Sequence, residues 1–292
     1  MNHSSSFLSW ADHFISYLKY LHYRLKKESL YHKRFMMLQK IMRNQLLDTF
    51  FQPIVCLQSG TTIGYEALNR PAPSKWFPST ESFYDFVGQT DQVFLFDYFC
   101  RNISLQRFME LSEHLEARED TLLFINIHPH VLLDSSYHSG ETLGLLQDLG
   151  IDPGNIVLEL TERSAVTDFV QFEQVLSNYR SQGFRIAVDD MGAGYNSLKT
   201  LVHLKPEFIK LDKSLTQNID QNNAQQQMVT LIIEFAKKTM THVIAEGIER
   251  VEDLAYLSYK EVDFGQGYAL GKPKKEVMPG KIPDFFQKRK IL

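Results

Sequence analysis

Asp189 and Asp190 stand side by side at the end of a short apolar run, residues 184–188, and are followed at once by Gly192 and Gly194. The β-branched run predicts a buried strand. Two adjacent carboxylates push each other's pKa upward unless a cation neutralises them. At a strand end such a pair can bridge two metal ions about 3.5–4 Å apart. The same residues also suit a plain surface turn, because Asp and Gly favour turns. What decides between the two readings is the rest of the chain.

Other polar residues fall at comparable places. Glu66 ends the second predicted strand, Asn126 the third and Glu159 the fourth, with Glu162 one turn beyond. Lys210 and Asp212 close the sixth, Glu246 the seventh with Glu249 after it, and Gln266 follows the eighth. Apart from the lysine these are oxygen donors, with no His or Cys among them. Hard oxygen ligands favour Mg²⁺ or Mn²⁺ over zinc. Two such ions can clamp a phosphodiester and activate water for in-line attack. A lysine among acids can orient the nucleophile or hold phosphate as a point charge.

These side chains need strands to position them. Runs at 50–57, 62–68, 121–127, 156–160, 184–188, 208–211, 242–245 and 262–264 read as strands. Helical segments are expected at 82–115, 143–149, 168–181, 224–240 and 251–259. Strands followed by helices give the rhythm of an α/β barrel, whose active sites lie at the carboxyl ends of the strands. Gln58, Ser59 and Gly60 leave room only for a tight turn, so the first strand pair is expected to be antiparallel.

The chain has 292 residues, with 43% hydrophobic and 23% charged residues, and can bury a large core. Its net charge of −4 is unevenly spread: residues 1–43 hold eight basic residues and two acids, a balance of +6, which leaves −10 elsewhere. Residues 7–43 read as a basic amphipathic helix, with Phe7, Ala11, Phe14, Leu18, Leu21 and Leu25 on one face. That periodicity is expected to lapse near Glu28 and His32. The helix suits packing on its own barrel or a second subunit, or peripheral contact with a membrane surface. Cys56 and Cys100 have no metal-binding spacing and suit the reduced thiols of a cytosolic protein. No membrane-spanning run and no secretory signal are read.

Tyr65-Glu66-Ala67-Leu68-Asn69-Arg70 resembles the signature of the EAL family of cyclic di-GMP phosphodiesterases. Gln52-Pro53-Ile54, Asn126 with Pro129, Glu159 with Glu162, the Asp189-Asp190 pair, Lys210-Leu211-Asp212, Glu246 with Glu249, and Gln266-Gly267-Tyr268 with Pro273 follow in the family's order. The resemblance divides the chain into an extension (1–40), a barrel (41–280) and a tail (281–292). It implies a TIM-like (β/α)8 barrel with an antiparallel first strand, and hydrolysis of cyclic di-GMP to pGpG with two Mg²⁺ or Mn²⁺ ions. By motif, Glu66, Asn126, Glu159 and Asp189 would hold one ion, and Asp189, Asp190 and Glu246 the other. Lys210 and Gln266 would position the catalytic water, with Glu162 and Glu249 as supporting acids. Gln52, Leu68, Arg70 and Pro273 would line the substrate.

The resemblance further implies a homodimer; the cysteines point to a cytoplasmic protein, and no nucleic-acid polymer is expected as partner, since the basic arm carries no nucleic-acid-binding motif. Met191, Ala193 and Asn196 depart from the family's loop, which has Phe, Thr and Ser there. Those departures keep two alternatives in view: a weak or inactive barrel that binds cyclic di-GMP without cleaving it, and an interaction module.

Overall fold

The computed structural model describes residues 4–113, 115, 118–128, 131, 140–161, 169–193 and 197–283. Eight strands close into a barrel in chain order. They are β1 (Leu47–Cys56), β2 (Thr62–Pro71), β3 (Leu122–Asn126), β4 (Ile156–Thr161), β5 (Arg185–Met191), β6 (Phe208–Leu211), β7 (His242–Ala245) and β8 (Phe264–Gly265). Successive strands from β2 to β8 pair in parallel, whereas β1 meets β8 antiparallel, with Val55 opposite Gly265. Thus β1 alone runs against the other seven, as the tight turn implied. Gly60 makes that turn at φ 79°, a value that favours glycine, and its N–H donates to Cys56 O at 2.8 Å. The barrel and its helical extension match the fold read from the sequence.

The helices are α1 (Ser4–Asn44), α2 (Thr80–Val87), α3 (Val93–Leu111), α4 (Glu141–Leu149), α5 (Phe169–Ser181), α6 (Ser197–Leu204), α7 (Lys213–Thr216), α8 (Asn223–Thr239) and α9 (Val251–Tyr259). The helical stretch expected over 82–115 is two helices. Ser79 caps the first through a reciprocal hydrogen-bond pair with Ser82, and Gly88 ends it. Helices α6 and α7 were not expected, because segments of 8 and 4 residues are too short to display a helical period.

Alternation along the strands fixes what faces the barrel axis. Ile54, Leu122, Phe124, Val157, Ala187, Phe208 and Ile244 form a buried apolar cluster, with the Phe124 and Phe208 rings 5.3 Å apart. A strand returns to the same face every second residue. Two positions beyond Phe124, Val157, Ala187, Phe208 and Ile244 come Asn126, Glu159, Asp189, Lys210 and Glu246. The polar layer is therefore the next storey above the plug.

The chain forms two compact units that are not single cuts of the sequence: residues 1–47 with 71–90, and residues 48–70 with 91–292. In the first unit, Arg34 donates to Trp76 O at 3.1 Å and lies over the Phe77 ring, while Tyr31 packs on Phe86 with ring centroids 5.3 Å apart. Helix α1 runs through Glu28 and His32 without a break. From residue 12 to residue 33 its side chains are exposed, apart from a half-buried Leu21. The second unit holds the barrel and the polar layer. Among the described residues no helix is long and apolar enough to cross a membrane. Cys56 and Cys100 carry free thiols.

Candidate functional site

Five carboxylates, two amides and one lysine meet at the carboxyl-end mouth of the barrel. Lys210, on β6, is fully buried, and its Nζ lies 2.7 Å from Glu159 Oε1, 2.8 Å from Glu246 Oε1, 3.2 Å from Glu66 Oε2 and 3.5 Å from Asp189 Oδ1. The four acids come from β4, β2, β5 and the residue after β7. Side-chain exposure rises from 0% at Glu159 through 9% at Glu66 and 12% at Asp189 to 20% at Glu246. The cluster thus has a floor, at Lys210 and Glu159, and an open side, at Asp189 and Glu246.

Asn126 faces Glu159 across the β3–β4 register, and its Nδ2 donates to Glu66 Oε1 (3.2 Å) and Glu159 Oε2 (3.1 Å). Gln266, just past β8, donates from Nε2 to Glu66 Oε2 at 2.7 Å. Glu66 does not end its strand, as expected, but sits in its middle, since β2 continues to Pro71. The extra residues carry Leu68 and Arg70 onward along the same strand.

The adjacent aspartates are separated by an irregularity. The β5–β6 register shifts between Val188 and Met191, and Asp190 takes φ 57°, a left-handed conformation uncommon for a residue with a Cβ. This bulge frees two consecutive side chains from strict alternation. One candidate ligand atom each from Asp189, Asp190 and Glu246 lies within 4.8 Å of the other two. Asp190 N–H donates to Asp189 Oδ1 at 2.9 Å. Met191, where the resemblance has Phe, is fully buried, and Ala193 is exposed.

Burial pushes the carboxyls of Glu66, Glu159, Asp189 and Glu246 upward, and the neighbours decide the outcome. For Glu159, burial and the charge of Glu66 outweigh Lys210 and hold the carboxyl well above its usual range. For Glu246, burial dominates over Lys210 and the pKa rises to about 8. Asp189 is also raised, mainly by burial. Glu66 goes the other way: burial is overcome by Lys210, Gln266 and Asn126 together. Burial would pull the Lys210 ammonium down, but Asp189, Glu159, Glu246 and Glu66 hold its pKa well above normal. A bound divalent cation would lower the carboxyl values, because it becomes the largest local charge.

These residues fit hard divalent ions. The donors are oxygens, and two buried oxygens, Glu159 Oε1 and Gln266 Oε1, have no well-directed hydrogen-bond donor among the described residues. With Lys210 counted against the five carboxylates, the layer carries four negative charges when fully ionised, matching two divalent cations.

The remaining predicted residues lie as follows. Gln52 is buried and donates to Gly271 O at 3.1 Å. Leu68 and Pro273 are half-buried, and Arg70 is exposed with its guanidinium 4.8 Å from the Phe50 ring centroid. Glu249 is exposed and makes no ion pair with the cluster among the described residues. Glu162, Pro129 and Asn196 lie outside the described residues. Two supports escaped the sequence reading. Thr216 Oγ1, on α7, donates to the carbonyl of Glu246. Asp97, buried in α3 and paired with Arg101 at 3.3 Å, accepts the His128 N–H two residues past Asn126. An (i, i+4) Asp–Arg pair inside an apolar helix was the available signal; Asp212, capping α7 through Ser214 N, was the other.

The class the fold and site define is a parallel α/β barrel with one reversed strand, whose strand ends carry an all-oxygen acidic mouth around a lysine. The chain belongs to the EAL domain family, whose model matches residues 36–273. It is 31% identical over 248 residues to "Probable cyclic di-GMP phosphodiesterase PdeB" of Escherichia coli (strain K12), covering 82% of this chain and 46% of that protein. It is 28% identical over 240 residues to "Cyclic di-GMP phosphodiesterase PdeL" of the same organism, covering 80% and 64%. The chain therefore spans less than two thirds of either relative. Among solved structures, the EAL enzyme Bd1971 with cAMP and cyclic di-GMP bound superposes with a TM-score of 0.77 at 29% identity, covering 85% of this chain and 66% of that one.

Proposed function

We propose that this barrel hydrolyses cyclic di-GMP to linear pGpG with two divalent cations, Mg²⁺ or Mn²⁺. The observation that carries the reading is the convergence of Glu66, Asn126, Glu159, Asp189, Asp190 and Glu246 on one mouth around Lys210. Glu66, Asn126, Glu159 and Asp189 would hold one cation, and Asp189, Asp190 and Glu246 the other. Bound there, the cations supply charge neutralisation for the phosphodiester and a lower pKa for the attacking water.

The protein's own groups do the rest. Five carboxylates repel an anionic dinucleotide, so productive binding depends on neutralising them first. Lys210 and Gln266 orient the nucleophile, the ammonium as a donor and the free Gln266 Oε1 as an acceptor. Arg70 receives a phosphate oxygen through its planar fork, and its contact with the Phe50 ring, 4.8 Å from the centroid, limits its freedom. Gln52, Leu68 and Pro273 line the nucleotide, and Glu162 and Glu249 support the loops that carry the ligands. The names of PdeB, PdeL and the cyclic di-GMP complex of Bd1971 support this substrate.

The test is chromatography of cyclic di-GMP incubated with the protein across a metal series. We expect pGpG with Mn²⁺ or Mg²⁺, and a rate at least about 100-fold lower for Glu66→Ala or Asp189→Ala. A folded sample that turns nothing over with any metal defeats the reading. A weak receptor is the second reading, favoured by Ala193, which lacks a hydroxyl worth about 0.5–1.5 kcal/mol in one hydrogen bond. Tight binding without hydrolysis selects it.

The division into extension (1–40), barrel (41–280) and tail (281–292), a cytoplasmic location and a homodimer belong to the same proposal. So does peripheral membrane contact through residues 7–43. The exposed aromatic and aliphatic side chains of α1, among them Phe14, Tyr17, Leu18 and Tyr23, lie amid basic residues, a composition suited to anionic lipid.

A further inference from the structure

We infer that one side of α1 and the loop carrying Trp76 form a single lipid-docking surface, in which a row of lysines meets anionic headgroups and the Trp76 indole enters the layer between headgroups and acyl chains. The inference rests on the reading of peripheral membrane contact above and adds the face, the anchor and the orientation.

Spacing sets the row. Lys19, Lys26, Lys33 and Lys40 recur every seven residues along α1, and all four are exposed. Seven residues fall only about 20° short of two helical turns, so the four side chains share one side of the helix at intervals of about 10.5 Å. Helix α1 is continuous through all of them. Within about 60° of Lys33 round the helix come Ile15, Leu18, Leu30 and Met36, exposed by 39–55%. Glu28, the only acid between residues 13 and 47, falls on the far side and pairs there with Arg24 at 3.6 Å. A line of like charges about 30 Å long suits an extended anionic plane rather than a single phosphate. Two copies pairing along this side would set lysine against lysine, which is unfavourable.

The loop supplies the anchor. Residues 72–79 lead from β2 to α2 and belong to the same compact unit as α1. Trp76 is half-buried there. Lys33 Nζ lies 5.3 Å and Lys75 Nζ 4.8 Å from its ring centroid, and Arg34 Nε donates to its carbonyl at 3.1 Å. Among the described residues no carboxylate pairs with any of these three cations. Attraction to the ring offsets little of their mutual repulsion at an exposed site, so the cleft favours an anion from outside. The loop is also held firmly. Trp76 N–H donates to Ser74 Oγ at 3.2 Å and Phe77 N–H to Ser74 O at 3.1 Å. The buried Phe77 ring packs on Phe83 and Phe86, with centroids 5.0 and 5.5 Å away. An indole on such a support, apolar in body and polar at its N–H, suits the boundary between lipid and water.

The test is sedimentation with vesicles of equal parts phosphatidylcholine and phosphatidylglycerol. It compares wild type with Lys26→Gln/Lys33→Gln and with Arg24→Gln/Lys27→Gln. Both variants lose the same charge, the first from the row and the second from the rest of the helix circumference. We expect the first to weaken partitioning at least about tenfold and the second by no more than about threefold. Equal losses would mean that net charge alone acts, and would overturn the inference. In Trp10→Phe, Trp76 is the only tryptophan. Its emission should shift to the blue with these vesicles and be quenched by brominated acyl chains. A chain that sediments with unchanged Trp76 emission sinks the inference. So does loss of sedimentation in Trp10→Phe, which would make Trp10 the anchor. Wild type that leaves the vesicles alone overturns the reading of membrane contact beneath it. Retention on immobilised RNA in that case would give the lysine row to a nucleic acid.

Discussion

Asp263 and His242 form a titrating pair outside the acidic mouth, 3.5 Å apart. Burial pushes the Asp263 carboxyl up, but hydrogen bonds from His242 and the Val243 N–H and the charge of the imidazole hold it below 3.8. The Asp263 hydrogen bond raises His242 above 6.5 against the effect of burial. A raised imidazole contributes stability that is fully present below the unfolded pKa and is lost as pH rises through the folded value. The depressed carboxylate contributes stability above its unfolded pKa and loses it as pH falls through the folded one. The pair therefore helps most between those limits, modestly, since the His242 side chain is 55% exposed. Melting curves should show the wild type losing more stability than Asp263→Asn between about pH 6 and pH 8. Parallel curves would mean that the pair has no linkage to folding.

At the level of the element, the backbone around the acids matters as much as their charge. Gly267 follows Gln266, and a Cβ there would lie 2.2 Å from the carbonyl oxygen and 2.3 Å from the nitrogen of Ile248. Backbone atoms cannot yield as a flexible side chain can. Gly267→Ala is therefore expected to cost about 1–3 kcal/mol in urea unfolding, with the Gln266 amide displaced from Glu66. An unchanged midpoint would show that the turn after β8 adapts freely. The bulge on β5 belongs to this level as well. The run of residues 184–188 and its two acids are evident from the sequence, but the register shift against β6 and the left-handed Asp190 are not, because they arise from pairing with a distant strand.

For the molecule as a whole, the charge imbalance between arm and barrel has a structural counterpart. Residues 12–33 of α1 expose their side chains, Leu21 excepted, with Tyr23 and Leu25 each 65% accessible. The acidic mouth lies wholly within the other compact unit. Removing residues 1–33 should leave turnover of cyclic di-GMP within about twofold of the full chain and abolish sedimentation with vesicles containing anionic lipid. A collapse in turnover would instead tie the arm to the barrel's chemistry, and undiminished sedimentation would move the lipid contact elsewhere.

The sequence by itself determined the barrel and its reversed first strand, and it put polar residues at the ends of most strands. These depend on local pattern: a tight turn between two strands, apolar runs of strand length, and acids or amides where those runs stop. What only the tertiary structure decided is who touches whom. That Lys210 lies among four carboxylates, that Asn126 donates to two of them, and that Glu66 sits mid-strand follow from the closure of eight strands around one axis. Periodicity assigns a side chain to a face, but which side chains meet across a barrel depends on register, and register is set by the packing of the whole chain.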